Sequence, residues 1–352
     1  MNEAMNFNFL RNAPLPPNGR KVAVIGAGPS GLAAAGYLGG LGYQVEVYDK
    51  LPKPGGLMTF GIPSHRIPSA RIDAGVLILE RSLGVNFHCK TKVCCSAPLH
   101  EEEGDHFSWD MIGLGELVEN HDAVIICTGS WKSRRLGIPG EKLAGVYSGL
   151  EFLFPIRAAR YDTRNMHTPD VTGKNVIVIG AGHSAMDAAH AALHLDAAKV
   201  SVVYRRTKED APCGTFEIDR LLELGATWVE KTSPTAILGK AEVQALEVEG
   251  PEGKRTLPAD TVIGAIGEIP TPPFAGELGL ENIRKGDVRW LNMTAINNVF
   301  VAGDVLSGPS KVGKAVESGL KAARSLANWL DMKSHDPDAC FSEQERYKEG
   351  RP

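Results

Sequence analysis

KVAVIGAGPSG, residues 21–31, and NVIVIGAGHSA, residues 175–185, are two copies of one pattern in a single chain. Each is an apolar strand that runs into a glycine turn and opens a helix of small residues. That context turns a weak Gly-x-Gly-x-x-Gly match into a dinucleotide-binding fingerprint. In the first copy Gly26 permits the tight turn, Gly28 lets the backbone approach a pyrophosphate, and Gly31 lets the helix pack on the strand. The free N–H groups and partial positive charge of the helix N-terminus then face the phosphates. The copies differ at the far end. Asp49 closes the next strand of the first, where a carboxylate accepts hydrogen bonds from a ribose diol. The second ends in Ala185 and is followed by Arg205 and Arg206, whose guanidinium groups match a 2′-phosphate. Paired arginines also read as a solvated strand end. One acidic and one basic terminus predict two different nucleotides, and so a hydride passed between a nicotinamide and a flavin.

The 352 residues suffice for two or three domains, and 43% hydrophobic with 23% charged residues is ordinary for an α/β protein. A net charge of −4 supplies no basic field for nucleic acid. No apolar run reaches the ~20 residues that span a membrane. The polar, Pro-rich start, Met1 to Gly19, lacks the order of a signal peptide, so a cytoplasmic location is expected. Six cysteines contain no Cys-x-x-Cys, which argues against a redox-active disulfide and against iron–sulfur ligation by this chain. Cys89, Cys94 and Cys95 lie near His88, His100 and His106, but the spacing fits no zinc pattern, and no metal is expected.

Around the first fingerprint the pattern predicts a helix over Leu32–Leu41 and a strand over Tyr43–Tyr48. An irregular loop follows over Leu51–Ser69, then a helix over Arg71–Leu83 and a strand over Val85–Val93. The polar stretch Cys94–Glu119 reads as a hairpin with an exposed loop, and Ala123–Cys127 as a buried strand. The second copy predicts strands over Val176–Ile179, Val200–Tyr204 and Thr261–Ile266, and helices over Ser184–Leu195 and Phe216–Leu224. A hairpin is expected from Ala236–Glu249 and Lys254–Leu257. A short strand over Val299–Ala302 then leads through Gly303 and Asp304 into a long helix, whose apolar positions follow helical spacing. Asp304 reads as a plain N-cap or as a holder of a sugar hydroxyl. This last unit has no counterpart in the second copy. It is expected to return to the first domain, with the second inserted between about Ser130 and Ile269.

From about Lys21 to Trp329 the chain resembles the small (beta) subunit of glutamate synthase and its relatives, among them the NADPH-binding subunit of the transhydrogenase that couples NADH and ferredoxin. The resemblance rests on ordered motifs: the loop from Lys53 to Pro68, the strand from Ala123 to Trp131, and the segments Leu136–Glu141 and Gly145–Phe152. It continues through Gly182–Asp187 and Val203–Arg206 to Val299–Val305 with Gly308 and Pro309. It implies FAD in the first domain and NAD(P)H in the second. Gly56, Leu57 and Arg66 would lie along the FAD, the Val93 backbone at its adenine, Asp304 at its ribityl chain, and Val312 and Ala315 near the isoalloxazine. Many relatives carry an N-terminal iron–sulfur domain, which is expected to be absent here. The stretch Cys94–Glu119 is longer than the family pattern, and Lys311, Gly313 and Lys314 replace its usual Thr, Val and Glu.

The expected fold is α/β, with two Rossmann-like dinucleotide-binding domains built from a parallel sheet plus a β-meander in three layers. Residues 20–130 with 270–332 would bind FAD, 131–269 would bind NAD(P)H, and 333–352 would form a polar tail. Candidate FAD residues are Gly26, Gly28, Pro29, Ser30, Gly31, Asp49, Lys50, Gly56, Leu57, Arg66, Val93, Thr128, Gly129, Gly303, Asp304, Val312 and Ala315. Candidate NAD(P) residues are Gly180, Gly182, His183, Ser184, Ala185, Asp187, Arg205, Arg206 and Gly267, with NADP(H) favoured over NAD(H). Hydride transfer between cofactors needs no acid, base or nucleophile, so no catalytic side chain is expected. The electrons would pass to or from an iron–sulfur partner, ferredoxin-like or a subunit of a larger complex. A disulfide or other acceptor reductase, and a nucleotide-sensing flavoprotein without turnover, remain open alternatives.

Overall fold

The computed structural model describes residues 4–10, 13–94, 102–162, 166–270, 292–296 and 298–335. The chain divides into two compact units. The first comprises Met1–Thr59, Ile67–Trp131 and Pro270–Pro352, and the second Phe60–Arg66 and Lys132–Ile269.

In the first unit β1 (Lys21–Ile25), β2 (Gln44–Asp49), β3 (Asn86–Cys89), β6 (Ala123–Ile126) and β17 (Val299–Val301) form a parallel sheet in the order β17-β6-β1-β2-β3. Val22 pairs with Val45 on one side and Ala123 on the other. Both faces are covered, which is why these strands read as continuous apolar runs. One face packs on α1 (Pro29–Gly40), α3 (Ser69–Leu83) and α9 (Val312–His335), which follows the short α8 (Asp304–Ser307). The close approach of α9 to α1 requires a glycine: a Cβ on Gly319 would sit 2.1 Å from the Ser30 carbonyl oxygen. The other face is closed by β4 (Thr91–Cys94), β5 (Asp110–Gly113) and α4 (Leu114–Asn120), through Val93, Leu114 and Leu117.

Here the structure corrects two expectations. The strand over Val85–Val93 is broken at Lys90, whose φ of 60° ends the extended run. The expected hairpin over Cys94–Glu119 is instead a parallel pair, Thr91 with Asp110 through Cys94 with Gly113. Buried Asp105 explains why the crossover is held down. It is ion-paired to Lys50 at 2.9 Å and Lys92 at 2.6 Å, and these cations hold its carboxyl below the usual range against the opposing effect of burial. Residues 95–101 of that stretch lie outside the described residues.

The second unit repeats the plan. Here β8 (Val146–Ser148), β9 (Asn175–Ile179), β10 (Lys199–Val203), β11 (Thr227–Val229) and β15 (Thr261–Gly264) form a parallel sheet in the order β11-β10-β9-β15-β8. On one face lie α5 (Gly149–Ala158), α6 (His183–His194) and α7 (Thr215–Glu223). The other face packs on an antiparallel meander, β12 (Ser233–Gly239), β13 (Val243–Gly250) and β14 (Gly253–Pro258), through Ile237, Leu246 and Val248. The expected hairpin is its β13–β14 half, and the run Ala236–Glu249 is split between β12 and β13. The segment Gly145–Phe152 forms edge strand β8 and the start of α5, closed by a capping box between Ser148 and Glu151. The two ends of this unit zip together where β7 (Lys132–Ser133) pairs with β16 (Glu268–Ile269).

Glu46, on β2, makes the first unit acid-sensitive. Burial alone would raise its pKa, but hydrogen bonds from Tyr48 and Lys21 hold it at about 2 against an ordinary 4.5. A carboxylate depressed in the folded state stabilises above the unfolded value and loses that contribution as pH falls through the window from 4.5 towards 2. Glu46→Gln is expected to cost about 1–2 kcal/mol at pH 7, a value reduced for solvent screening. Denaturant midpoints of the two proteins should converge by about pH 2–3, following linkage; a constant gap would contradict the assignment.

Candidate functional site: two dinucleotide cradles

The first cradle forms where β1, β6 and β17 end. Gly26 has φ 101°, and a Cβ there would strike the Cys127 carbonyl oxygen at 2.4 Å. A Cβ on Gly31 would lie 1.9 Å from the Gly26 oxygen. Gly28 is different: nothing lies within 4 Å of its Cβ position, so the helix N-terminus is open. The first N–H groups of α1, which starts at Pro29 with no side-chain cap, are left for a ligand. The loop before α2 (Leu57–Phe60) leans on this turn. Gly55 N–H donates to Ala27 O at 2.8 Å, and a Cβ on Gly56 would meet Gly28 Cα at 2.8 Å.

Asp49 is buried, and its two oxygens accept from Ala27 N at 2.5 Å and Leu51 N at 2.8 Å. Burial pushes its carboxyl up and these two amides oppose the rise. The acid therefore shapes the glycine turn itself. Ser30 links the converging strands. Its Oγ lies 3.5 Å from Cys127 Sγ, and its Cβ lies 2.9 Å from where Gly303 would carry one. Gly303 N–H donates to Ser318 Oγ at 2.8 Å, and Ser310 Oγ donates to Asp304 Oδ1 at 2.6 Å. Burial also raises the Asp304 carboxyl.

Among the described residues the buried Thr128 Oγ1 has no hydrogen-bond partner. A buried hydroxyl costs free energy when unpaired, so this orphan fits a polar ligand beside Gly129. With the open Gly28 face, it makes the cradle compatible with FAD. Val93 and Ala315 are buried, while Leu57 and Val312 are half-buried. Lys50 is occupied elsewhere, by Asp105, Glu102 and the Trp131 ring at 4.3 Å.

The second cradle has the same plan. Gly180, with φ 126°, approaches Ala265: a Cβ there would lie 2.3 Å from the Ala265 oxygen. Gly182 is again open, and α6 starts at His183 without a side-chain cap. His183 and Ser184 are exposed on its first turn. Ala185 is fully buried, and its Cβ lies 3.7 Å from where Gly180 would carry one. Arg205 and Arg206 follow β10, exposed, and neither has a carboxylate within 4.0 Å among the described residues. Gly267, with φ 103°, lies at the end of the sheet beside Arg134. Open glycine, bare helix end and unpaired arginines fit a pyridine dinucleotide with a 2′-phosphate.

Arg66 and Asp187 come together in this unit. Arg66 Nε donates to Asp187 Oδ1, and its Nη1 and Nη2 donate to Glu217 at 2.9 and 2.6 Å. The Arg66 hydrogen bonds hold the Glu217 carboxyl low, whereas burial pushes Asp187 up against the pull of the same arginine. Glu217 was missed by sequence reasoning. Its only local signal is an acid in the first turn of a helix, which ordinarily reads as a dipole complement. Its partner is 151 residues away.

Residues 20–319 match the pyridine nucleotide-disulphide oxidoreductase family. The chain belongs to that family. It is therefore an oxidoreductase. The chain is 30% identical over 353 residues to the glutamate synthase [NADPH] small chain of Azospirillum brasilense, covering 92% of itself and 70% of that relative. It is 31% identical to the NADP(+)-dependent formate dehydrogenase subunit beta of Moorella thermoacetica, covering 91% of itself but 45% of the relative. In fold it is similar to Mycobacterium tuberculosis FprA in complex with NADPH, with a TM-score of 0.73 at 19% identity over 95% of this chain and 90% of FprA. The expected α/β fold of two dinucleotide-binding domains and the resemblance to the glutamate synthase small subunit are both borne out. Among the described residues no helix is long and apolar enough to cross a membrane.

Proposed function

We propose that this chain is an FAD-dependent NAD(P)H oxidoreductase working as an electron-transfer subunit, with NADP(H) favoured over NAD(H) and an iron–sulfur protein as its electron partner. The observation that carries this reading is the asymmetry of the cradles. Among the described residues, one has a buried acid and an orphaned hydroxyl, and the other has two exposed arginines without carboxylate partners. A bound flavin supplies the chemistry of taking up a hydride from a reduced nicotinamide and releasing the electrons singly. The chain's own residues bind and orient. Gly28 and Gly182 leave two helix N-termini open to phosphates, Asp49 fixes the first turn, and Arg205 and Arg206 select the phosphorylated ribose. Residues 20–130 with 270–332 form the FAD-binding domain in this reading, and 131–269 the NAD(P)H-binding domain.

Two further observations support an external acceptor. The relatives named above are designated as a small chain and a subunit, parts of larger enzymes. The sequence holds no Cys-x-x-Cys, and burial pushes both Cys89 and Cys127 up to about 12, far from thiolate formation at neutral pH. The test is rapid mixing of the FAD-loaded protein with NADPH, followed by a ferredoxin. Bleaching of the flavin absorbance and then reduction of the ferredoxin are expected. Nucleotide binding without bleaching would make the protein a sensor, and reduction of a thioredoxin instead would make it a disulfide reductase.

A further inference from the structure

The phosphate-facing helix of the second cradle carries a buried acid. Asp187 is the fifth residue of α6, about 6 Å along the axis from the end that receives phosphates. Only 5% of its surface is exposed. A carboxylate so close to an anion site, with little water to screen it, opposes the ligand unless a cation cancels it. Glu217, in the first turn of α7, adds a second negative charge to the same cluster. Arg66 answers both. Its Nε is on Asp187, and its two terminal nitrogens grip Glu217 in the paired geometry that suits a guanidinium. Next to it His65 packs at a tilt against His190, 4.2 Å between ring centres, and Phe60 is buried against Tyr161 at 5.1 Å. The segment Phe60–Arg66 is thus fastened to the second unit at both ends, and every face of the guanidinium fork is spoken for.

We infer that Arg66 is a positioning residue of the pyridine-nucleotide cradle: by neutralising Asp187 and Glu217 it keeps the N-terminus of α6 favourable to the dinucleotide's phosphates, and it ties α6 to α7. This rests on the reading of the second fingerprint as the nicotinamide-nucleotide site. It moves Arg66 from the flavin, where the family resemblance put it, to the other cofactor.

The test is titration of the FAD-loaded protein with NADP+ at low and high salt. Arg66→Gln is expected to weaken binding by about tenfold to a hundredfold at low salt, and by less as salt screens the two carboxylates. Flavin content should stay at the wild-type level. Arg66→Lys, which keeps the charge and loses the fork, should fall between. The combination Arg66→Gln with Asp187→Asn and Glu217→Gln should recover most of the affinity, which a merely structural role would not allow. Wild-type affinity in Arg66→Gln, a loss insensitive to salt, or a loss of flavin with NADP+ binding intact would each overturn the inference. Failure of the wild-type protein itself to bind NADP+ would overturn the nucleotide reading beneath it, and is distinguishable because no substitution is involved.

Discussion

Gly31→Ala will strip this protein of its flavin. The added Cβ would lie 1.9 Å from Gly26 O and 3.2 Å from Val24 Cγ1, so α1 would have to lift off the turn that it closes. It has nowhere to go, because Gly319 of α9 already holds the Ser30 carbonyl at the distance of a bare Cα. Overpacking a site of this kind costs about 1–3 kcal/mol. In a chain of this size that lowers the thermal midpoint by roughly 2–4 °C per kcal/mol. The larger effect falls on the ligand, since the glycine turn and the first N–H groups of α1 are the proposed phosphate cradle. We expect less than about a tenth of wild-type FAD content after purification, from loss of the close backbone approach. Ala185→Gly is the control. The second fingerprint already carries a Cβ at this position, so removing it should change nucleotide affinity by no more than about twofold, at the usual helix cost of about 0.5–1 kcal/mol. The ratio of flavin to protein absorbance and a melting curve decide the matter. A fully flavinated Gly31→Ala protein with an unchanged midpoint would refute the account of the cradle.

The contrast between Gly31 and Ala185 also shows what was legible in the sequence. Period and glycine spacing are local signals, and they placed both glycine turns and the parallel sheets that carry them. Signals carried by tertiary contacts were not readable. Short apolar Val146–Ser148 has the length of a linker and becomes a strand only because β15 offers it an edge. The polar stretch after Cys94 looks like a loop because the buried charge of Asp105 is compensated by Lys50 and Lys92 from elsewhere in the chain. Lys50 follows Asp49 at the end of the second strand and reads as a cofactor ligand, yet its ammonium is spent on that compensation and on the Trp131 ring. Arg66 sits in a motif that resembles a flavin loop, and only the fold reveals its carboxylate partners.

Replacing Arg205 and Arg206 together with alanine should change which nucleotide the protein uses while leaving its fold intact. The backbone that carries them is held independently of their side chains. Tyr204 N–H donates to Val229 O at 2.9 Å, Tyr204 Oη donates to Asp210 O at 3.0 Å, and Lys231 N–H donates to Arg206 O at 3.0 Å. Both side chains are exposed, so the substitutions should stay within about 0.5 kcal/mol of wild-type stability. Their guanidinium groups are the chemistry available for a 2′-phosphate, and a hydrogen bond to a charged group contributes about 1.5–3 kcal/mol. Losing two such contacts should lower kcat/KM for NADPH by about a hundredfold or more. NADH has no 2′-phosphate to lose contact with and should change by about threefold at most, because in the proposed reading its phosphates are held by the α6 N-terminus. The measured quantity is therefore the ratio of the two efficiencies. If NADPH and NADH decline in step, the arginines serve the general field of the cradle and not the phosphate. If neither declines, they are a solvated strand end, and the preference for NADP(H) has to be sought in other residues of the second cradle.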